Sequence, residues 1–230
     1  MTLYGVELVQ ATDAEEVASV VADLLVDAAR DGRAIALTGG TSPGRAYELA
    51  VEREPDWSAA SLFWGDERCV PPNDSRSNYR LARDTLLDHL EAQPREVRRI
   101  RGELGAAAAA EEYDRELEDV ELGLVLLGLG PDGHVASLFP NQQTLEERQR
   151  RAIPAEAKLE PLVERVTMTV PALCSAPEVV FIVTGETKAE AVGRAFGQAP
   201  DPTTPGSLVR STSGRTRVVA DAAAASRLRH

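Results

Sequence analysis

The stretch Leu122-Gly123-Leu124-Val125-Leu126-Leu127-Gly128-Leu129 runs straight into Gly130-Pro131-Asp132-Gly133-His134. An unbroken apolar run bounded by turn residues reads as a central strand, buried on both faces as strands of a parallel sheet are. Each residue of Gly130 to Gly133 suits a tight turn: proline presets φ, aspartate bonds backbone just ahead of it, and glycine accepts positive φ. His134 follows at once. A histidine placed there can serve as a general base, because its ordinary pKa of about 6.5 leaves it mostly neutral near pH 7. Asp132, two residues earlier, is placed to orient the ring.

Outward from this segment, apolar runs alternate with amphipathic ones. Val6–Val9, Ala34–Leu37, Leu62–Trp64, Val163–Val170 and Val179–Val183 read as strands. Asp13–Arg30 carries Val17, Val20, Val21, Leu24, Leu25 and Ala28 at helical spacing and ends at Gly32. Further helices are expected over Gly44–Val51, Asn78–Leu90, Leu104–Leu117, Lys188–Phe196 and Ala222–Leu228. The alanine run 106–110 is read as helix, since alanine is the best helix former. Such alternation predicts an α/β fold with a mostly parallel sheet and helices on both faces, in one domain over residues 1–230. The polar tract Asn141–Arg151 and the stretch Pro200–Pro205 are expected to be surface excursions or lids.

Composition narrows the function. The 230 residues carry a formal net charge of −12, with 43% hydrophobic and 27% charged residues, as in an ordinary globular chain. So negative a chain lacks the basic face that nucleic acid or an anionic membrane requires. An anionic substrate therefore needs a local cationic pocket. The basic residues are 23 Arg and two Lys, so that pocket is expected to be mostly guanidinium, suited to two-point contact with phosphate or carboxylate. Cys69 and Cys174 have no metal-ligand spacing and are expected to be buried free thiols; with three histidines in the chain, no metal site is expected. No apolar run reaches the roughly 18 residues of a membrane span, and Met1–Gly5 does not open like a secretory leader, which sets the expectation of a cytoplasmic protein. Both a monomer and a homodimer fit this size.

The remaining informative residues also follow strands, where open α/β sheets bind ligands. Thr38-Gly39-Gly40-Thr41-Ser42-Pro43-Gly44 sits between a strand and a helix, with glycines that bring backbone N–H groups close to a ligand and a proline at the first helical position. That describes a phosphate cradle at a helix N-terminus, Gly39, Gly40, Thr41 and Ser42 being its candidate contacts. It is neither a dinucleotide fingerprint nor a Walker loop, and a tight turn with a capping hydroxyl is the plainer alternative. The same residues match the G-x-S-x-G nucleophile elbow of serine hydrolases, but the residue after Ser42 is proline, which has no N–H to donate to an oxyanion. Asp66-Glu67-Arg68 offers carboxylates for proton transfer and an arginine for phosphate; alone it reads as a surface salt-bridge cluster, with Ser77 capping the next helix. Gly185-Glu186-Thr187-Lys188 puts one of the two lysines at the same edge. His89 and His230 look inert by position.

Together, Thr38 to Pro43, Asp66-Glu67-Arg68 with Val70-Pro71 and Ser77-Asn78-Tyr79, Gly128 to Pro140, and Gly185 to Lys188 resemble the glucosamine-6-phosphate isomerase/6-phosphogluconolactonase family, in order over nearly the whole chain. The resemblance is to its lactonase branch. It implies a Rossmann-like three-layer α/β fold, hydrolysis of a sugar-phosphate lactone in the oxidative pentose phosphate pathway, and no cofactor. In the deaminase branch the matching segment carries a catalytic glutamate where this chain has Phe139, which favours the lactonase. The aromatic residue often found shortly before the last motif is replaced here by Val218-Val219-Ala220, so no site residue is assigned there. On this resemblance the expected roles are His134 as base toward a water, Asp132 as its partner, Asp66 as a contact to a sugar hydroxyl, and Gly39 to Ser42 with Arg68 and Lys188 as the phosphate site. A serine esterase acting through Ser42 and a non-catalytic sugar-phosphate sensor are the rival readings.

Overall fold

A computed structural model describes residues 2–228. The strands are β1 (Thr2–Leu3), β2 (Val6–Ala11), β3 (Ala34–Leu37), β4 (Ser61–Trp64), β5 (Asp66–Arg68), β6 (Glu96–Val97), β7 (Leu122–Leu127), β8 (Ala152–Ala155), β9 (Arg165–Met168), β10 (Glu178–Val183) and β11 (Arg215–Asp221). The helices are α1 (Ala14–Arg30), α2 (Pro43–Arg53), α3 (Asn78–Thr85), α4 (Ala106–Glu116), α5 (Val170–Cys174) and α6 (Ala189–Phe196). The main sheet has the order β1-β2-β11-β10-β7-β3-β4-β6, and every pairing in it is parallel except β1 with β2.

Sequence chemistry accounts for these elements. Asp13 caps α1 by accepting the Glu16 N–H at 2.9 Å, with Glu15 and Glu16 in the first turn where the helix dipole favours negative charge. The helix buries Val17, Val21, Leu25 and Val26 against the sheet and α2. In β7 the residue Gly123 coincides with a break in register against β3, where Ala34 pairs with Leu122 but Ile35 with Leu124. A Cβ at Gly123 would stand 2.7 Å from the Arg33 Cβ, so only glycine lets the strands keep their approach through this irregularity.

The structure corrects several expectations. The run Val163–Val170 contains β9, but β9 is antiparallel to β5 and β8 in a separate three-stranded sheet, and Val170 already belongs to α5. Asp66-Glu67-Arg68, read as a loop, is the edge strand β5 of that sheet. Ala222–Leu228 forms only a 3-10 turn over Ala224–Arg227, because Asp221 caps a tight turn by accepting the Ala224 N–H at 2.7 Å. Helix α3 stops at Thr85 and passes into a separate 3-10 turn, Leu87–His89. Strand β11 lies outside the expected strands, because Arg215 and Arg217 interrupt its apolar pattern. Cys174 is buried as expected, but Cys69 is only partly so; both are free.

Two buried tyrosines finish the strand ends. Tyr47 from α2 donates its hydroxyl to the Thr38 carbonyl at 2.7 Å and accepts the Thr38 N–H at 3.0 Å; Tyr113 from α4 does the same at Trp64, at 3.0 and 2.9 Å. Burial pushes both phenols above the ordinary tyrosine range, so they stay neutral donors. Each satisfies a donor and an acceptor just where the chain leaves the ladder. Tyr113→Phe should therefore lower the unfolding free energy by about 1–3 kcal/mol, because two buried backbone groups lose their partner. Urea unfolding checks this; an unchanged midpoint would mean that water replaces the hydroxyl.

Candidate active site

A pocket of about 230 Å³ opens over the carboxyl ends of β3, β7 and β10. From β3 the chain builds outward through β4 and β6, whereas β7, β10 and β11 build the other half of the sheet. The connections leaving β3 and β7 therefore diverge, and a crevice forms between them without further design.

One wall is the loop Thr38 to Ser42 leading into α2. Gly40 has φ +99°, a left-handed conformation costly for other residues. Gly39 is needed for a different reason: a Cβ there would lie 1.7 Å from Asn78 Oδ1. Pro43 opens α2. Ser42 shares a 3.0 Å hydrogen bond with Thr184, a hydroxyl rather than a base, which removes support for the serine-nucleophile reading.

The facing wall is the turn Gly130 to His134. Asp132 Oδ1 lies 2.6 Å from His134 Nδ1 and accepts the His134 backbone N–H at 3.1 Å. Gly130 donates its N–H to the His134 carbonyl at 2.8 Å, and a Cβ on it would stand 2.0 Å from His134 Nδ1. Burial alone would raise the Asp132 carboxyl, but the side-chain and backbone hydrogen bonds from His134 hold it below its ordinary value. An ionised Asp132 fixes the proton of a neutral imidazole on Nδ1 and leaves a lone pair on Nε2, which makes no hydrogen bond among the described residues. The imidazole packs on Phe139 with ring centres 4.7 Å apart. Just beyond, Ala136 holds φ +49°, a strained backbone position of the sort that collects at functional sites.

The third contribution comes from β5 and α3. Asp66 lines the pocket while accepting from Ser137 Oγ at 2.6 Å and from Asn78 Nδ2 at 3.0 Å. Glu67 does not reach it. Its carboxylate accepts from the N–H groups of Arg68, Asn78 and Tyr79 and from Ser77 Oγ, all within 2.8 Å, and so anchors the start of α3. The expected surface salt-bridge cluster is thus a buried acid and a buried cap, and Ser77 does cap α3 through the Arg80 N–H at 3.1 Å. Arg68 lines the pocket; Arg76 pairs instead with Asp74 at 2.7 Å and Arg80 with Asp84 at 3.1 Å.

From the loop after β10, Thr184 and Lys188 complete the lining. Asp221 accepts the Gly185 N–H at 2.9 Å and so holds this loop in place. Lys188 is half-buried; desolvation lowers its ammonium from the usual value against the pull of Asp132. Sequence reasoning missed Asn78, Thr184 and Arg165 among the pocket residues. A readable signal existed for Arg165, a charged residue inside the run 163–170, and for Asn78, which lies in the Ser77-Asn78-Tyr79 motif. Asn141–Arg151 and Pro200–Pro205 do not line the pocket. His89 is exposed, with Nε2 2.9 Å from the Asp84 carbonyl oxygen, and His230 lies outside the described residues. Among the described residues no three His, Cys, Asp or Glu side chains converge where a metal could bind.

Comparison with known proteins places this geometry. Residues 8–218 match the model of the glucosamine-6-phosphate isomerases/6-phosphogluconolactonase family. A 6-phosphogluconolactonase of Mycobacterium leprae is 39% identical over 197 residues, covering 77% of this chain and 78% of that one. The 6-phosphogluconolactonase of Streptomyces coelicolor is 34% identical over 237 residues, covering 94% and 90%. Among solved structures, 6-phosphogluconolactonase from Trypanosoma cruzi superimposes with a TM-score of 0.87 at 25% identity over 100% of this chain and 99% of that one.

The Gly39 packing gives a direct test of how the pocket is held. Gly39→Ala should unfold at lower urea than wild type and should loosen Asn78 from Asp66, whereas Asn78→Ala should absorb much of the penalty of a second Gly39→Ala change, since the clashing amide is gone. Strictly additive losses in a double-mutant cycle would show that the glycine is needed for something other than Asn78.

Proposed function

Since the chain belongs to the glucosamine-6-phosphate isomerase/6-phosphogluconolactonase family, we propose that it hydrolyses 6-phospho-D-glucono-1,5-lactone to 6-phospho-D-gluconate, the second step of the oxidative pentose phosphate pathway. The observation that carries this reading to the level of residues is the Asp132–His134 pair, whose Nε2 makes no hydrogen bond among the described residues and lies in the same pocket as the glycine-rich loop Gly39 to Ser42. The charged lactone does not cross a bilayer unaided, so the enzyme belongs in the compartment that makes it, and we propose the cytoplasm.

In the proposed reaction the 6-phosphate lies against the loop Gly39 to Ser42 at the start of α2, with Arg68 and Lys188 supplying positive charge. His134 Nε2 takes a proton from water as its oxygen bonds to the lactone carbonyl carbon. Asp132 stabilises the imidazolium so formed. The tetrahedral intermediate then collapses, the bond to the ring oxygen breaks, and His134 returns its proton to that oxygen as it leaves. Asp66 accepts a hydrogen bond from a sugar hydroxyl on lone pairs that Ser137 and Asn78 leave free. No carboxylate faces His134 from position 139: Phe139 supplies an apolar ring there. Ring-opening proton transfer of the deaminase kind would lack its carboxylate at this position, which favours the lactonase reading on chemical grounds.

His134→Ala should reduce turnover by on the order of 10²–10⁴ while leaving the unfolding midpoint close to wild type. The assay follows freshly generated lactone over short times, corrected for its spontaneous opening; a wild-type rate in the variant would remove His134 from the mechanism. Arg68→Ala should mainly raise KM, by roughly tenfold to a hundredfold, through loss of a charge-assisted contact. An unchanged KM would place the phosphate elsewhere.

A further inference from the structure

Lactone hydrolysis creates a second negative charge that the phosphate site does not meet. Addition of water turns the carbonyl oxygen into an oxyanion, and ring opening leaves a carboxylate on the same carbon. Among the described residues three cationic side chains line the pocket, Arg68, Arg165 and Lys188, and two of these are assigned to the phosphate.

Arg165 differs from both in its burial and in its place over Phe139, whereas an unpartnered buried Nε is a feature it shares with Arg68. It rises from β9 with only 4% of its surface exposed. Its Nη2 is tethered to the carbonyl oxygens of Leu159 and Pro161 at 3.3 and 3.1 Å. Its Nε is buried without a partner, and Nη1 makes no hydrogen bond among the described residues. A buried cation with unused donors is costly unless something occupies them. Desolvation lowers the guanidinium from its ordinary value, with Asp66 opposing that shift and Arg68 adding to it. The guanidinium carbon stands 5.6 Å from the centre of the Phe139 ring, the ring on which His134 packs at 4.7 Å. The base and this cation thus share one aromatic platform.

We propose that Arg165 is a catalytic residue of this site, its free N–H donors receiving the lactone carbonyl oxygen as it becomes an oxyanion and then holding the product carboxylate. The assignment rests on the lactone-hydrolysis reading above. Three features support it over a third phosphate ligand. The charge appears at the carbon that the His134-activated water attacks, and Arg165 is the cation that shares a platform with His134. The tether at Nη2 fixes the guanidinium before substrate arrives, which is what oxyanion stabilisation requires. The planar fork also matches a carboxylate, so the same contact serves transition state and product.

The experiment compares wild type, Arg165→Met and Arg165→Lys. Methionine keeps an apolar stem over Phe139 and removes every donor; lysine keeps the charge and loses the fork. Turnover is measured on fresh lactone, and binding on two probes, 6-phosphogluconate and glucitol 6-phosphate, which has the same phosphate but an alcohol in place of the carboxylate. The expected result for Arg165→Met is a fall in kcat of on the order of 10²–10³, roughly tenfold to a hundredfold weaker binding of 6-phosphogluconate, and unchanged binding of glucitol 6-phosphate. Equal losses for the two probes would make Arg165 a phosphate ligand and overturn the proposal. Unchanged binding and turnover with a lower unfolding temperature would make it only a prop for Phe139, and overturn it as well. If the methionine variant does not fold, the lysine variant decides by the same ratio of the two affinities. Wild-type protein that leaves the lactone at its spontaneous rate overturns the hydrolysis reading itself, an outcome visible before any variant is made.

Discussion

The parallel pairing of β3 with β7 is the constraint on which the rest depends. These strands are close neighbours in space but lie far apart in the chain, joined through α2, β4, β5, α3, β6 and α4. Because the pairing is parallel, both strands end at the same edge, and because the chain leaves them toward opposite halves of the sheet, their loops part instead of covering each other. The cradle at Gly39 to Ser42 and the turn at Asp132 to His134 are those two loops. Gly123 belongs to the same constraint, since it permits the close approach at which the register slips by one residue.

Rigidity at the pocket comes from backbone and buried donors more than from bulk. Asp132, Asp66, Glu67 and Asp221 each accept at least two hydrogen bonds from neighbouring groups, and all but Asp132 are buried. Of these four acids only Asp66 lines the pocket, where its charge would by itself repel an anion. Glu67 and Asp221 are saturated by backbone N–H groups, so their charge is met within the fold, while the cations Arg68, Arg165 and Lys188 face the pocket. A chain with a net charge of −12 can in this way present a locally positive cleft, provided its acids are buried in their own hydrogen bonds and the rest of its charge stays at the surface.

Much of this was legible in the sequence, and the limits have physical causes. The apolar runs of β3, β4, β7 and β10 announced a buried parallel sheet because strands covered on both faces leave no polar alternation to confuse the pattern. The loops after β3 and β7 were legible because glycine and proline report backbone geometry directly. The small sheet of β5, β8 and β9 was not, since its strands are short and one carries Asp66 and Glu67, residues that favour loops. Nor could the sequence separate Asp66 from Glu67. They alternate across one strand, so one side chain faces the pocket and its neighbour turns to the α3 N-terminus, a difference of pleat that composition does not carry. The pocket contributions of Asn78 and Thr184 depend on register between distant segments, which single-sequence reading cannot supply.

In the proposed mechanism Phe139 bears on the chemistry through the two side chains that pack on it. A carboxylate at that point would compete with Asp132 for the imidazole and would favour imidazolium, whereas an aromatic ring leaves His134 paired with a single acid. The same ring carries the Arg165 guanidinium, which a carboxylate would instead neutralise by direct pairing. Under the proposed mechanism, phenylalanine in place of an acid thus bears on both neighbours together: the histidine would keep a lone pair for a water, and the arginine its donors. Attack by water on a carbonyl needs both, a base to take the proton and a donor for the charge that develops, so the apolar residue shapes the site by what it leaves unpaired.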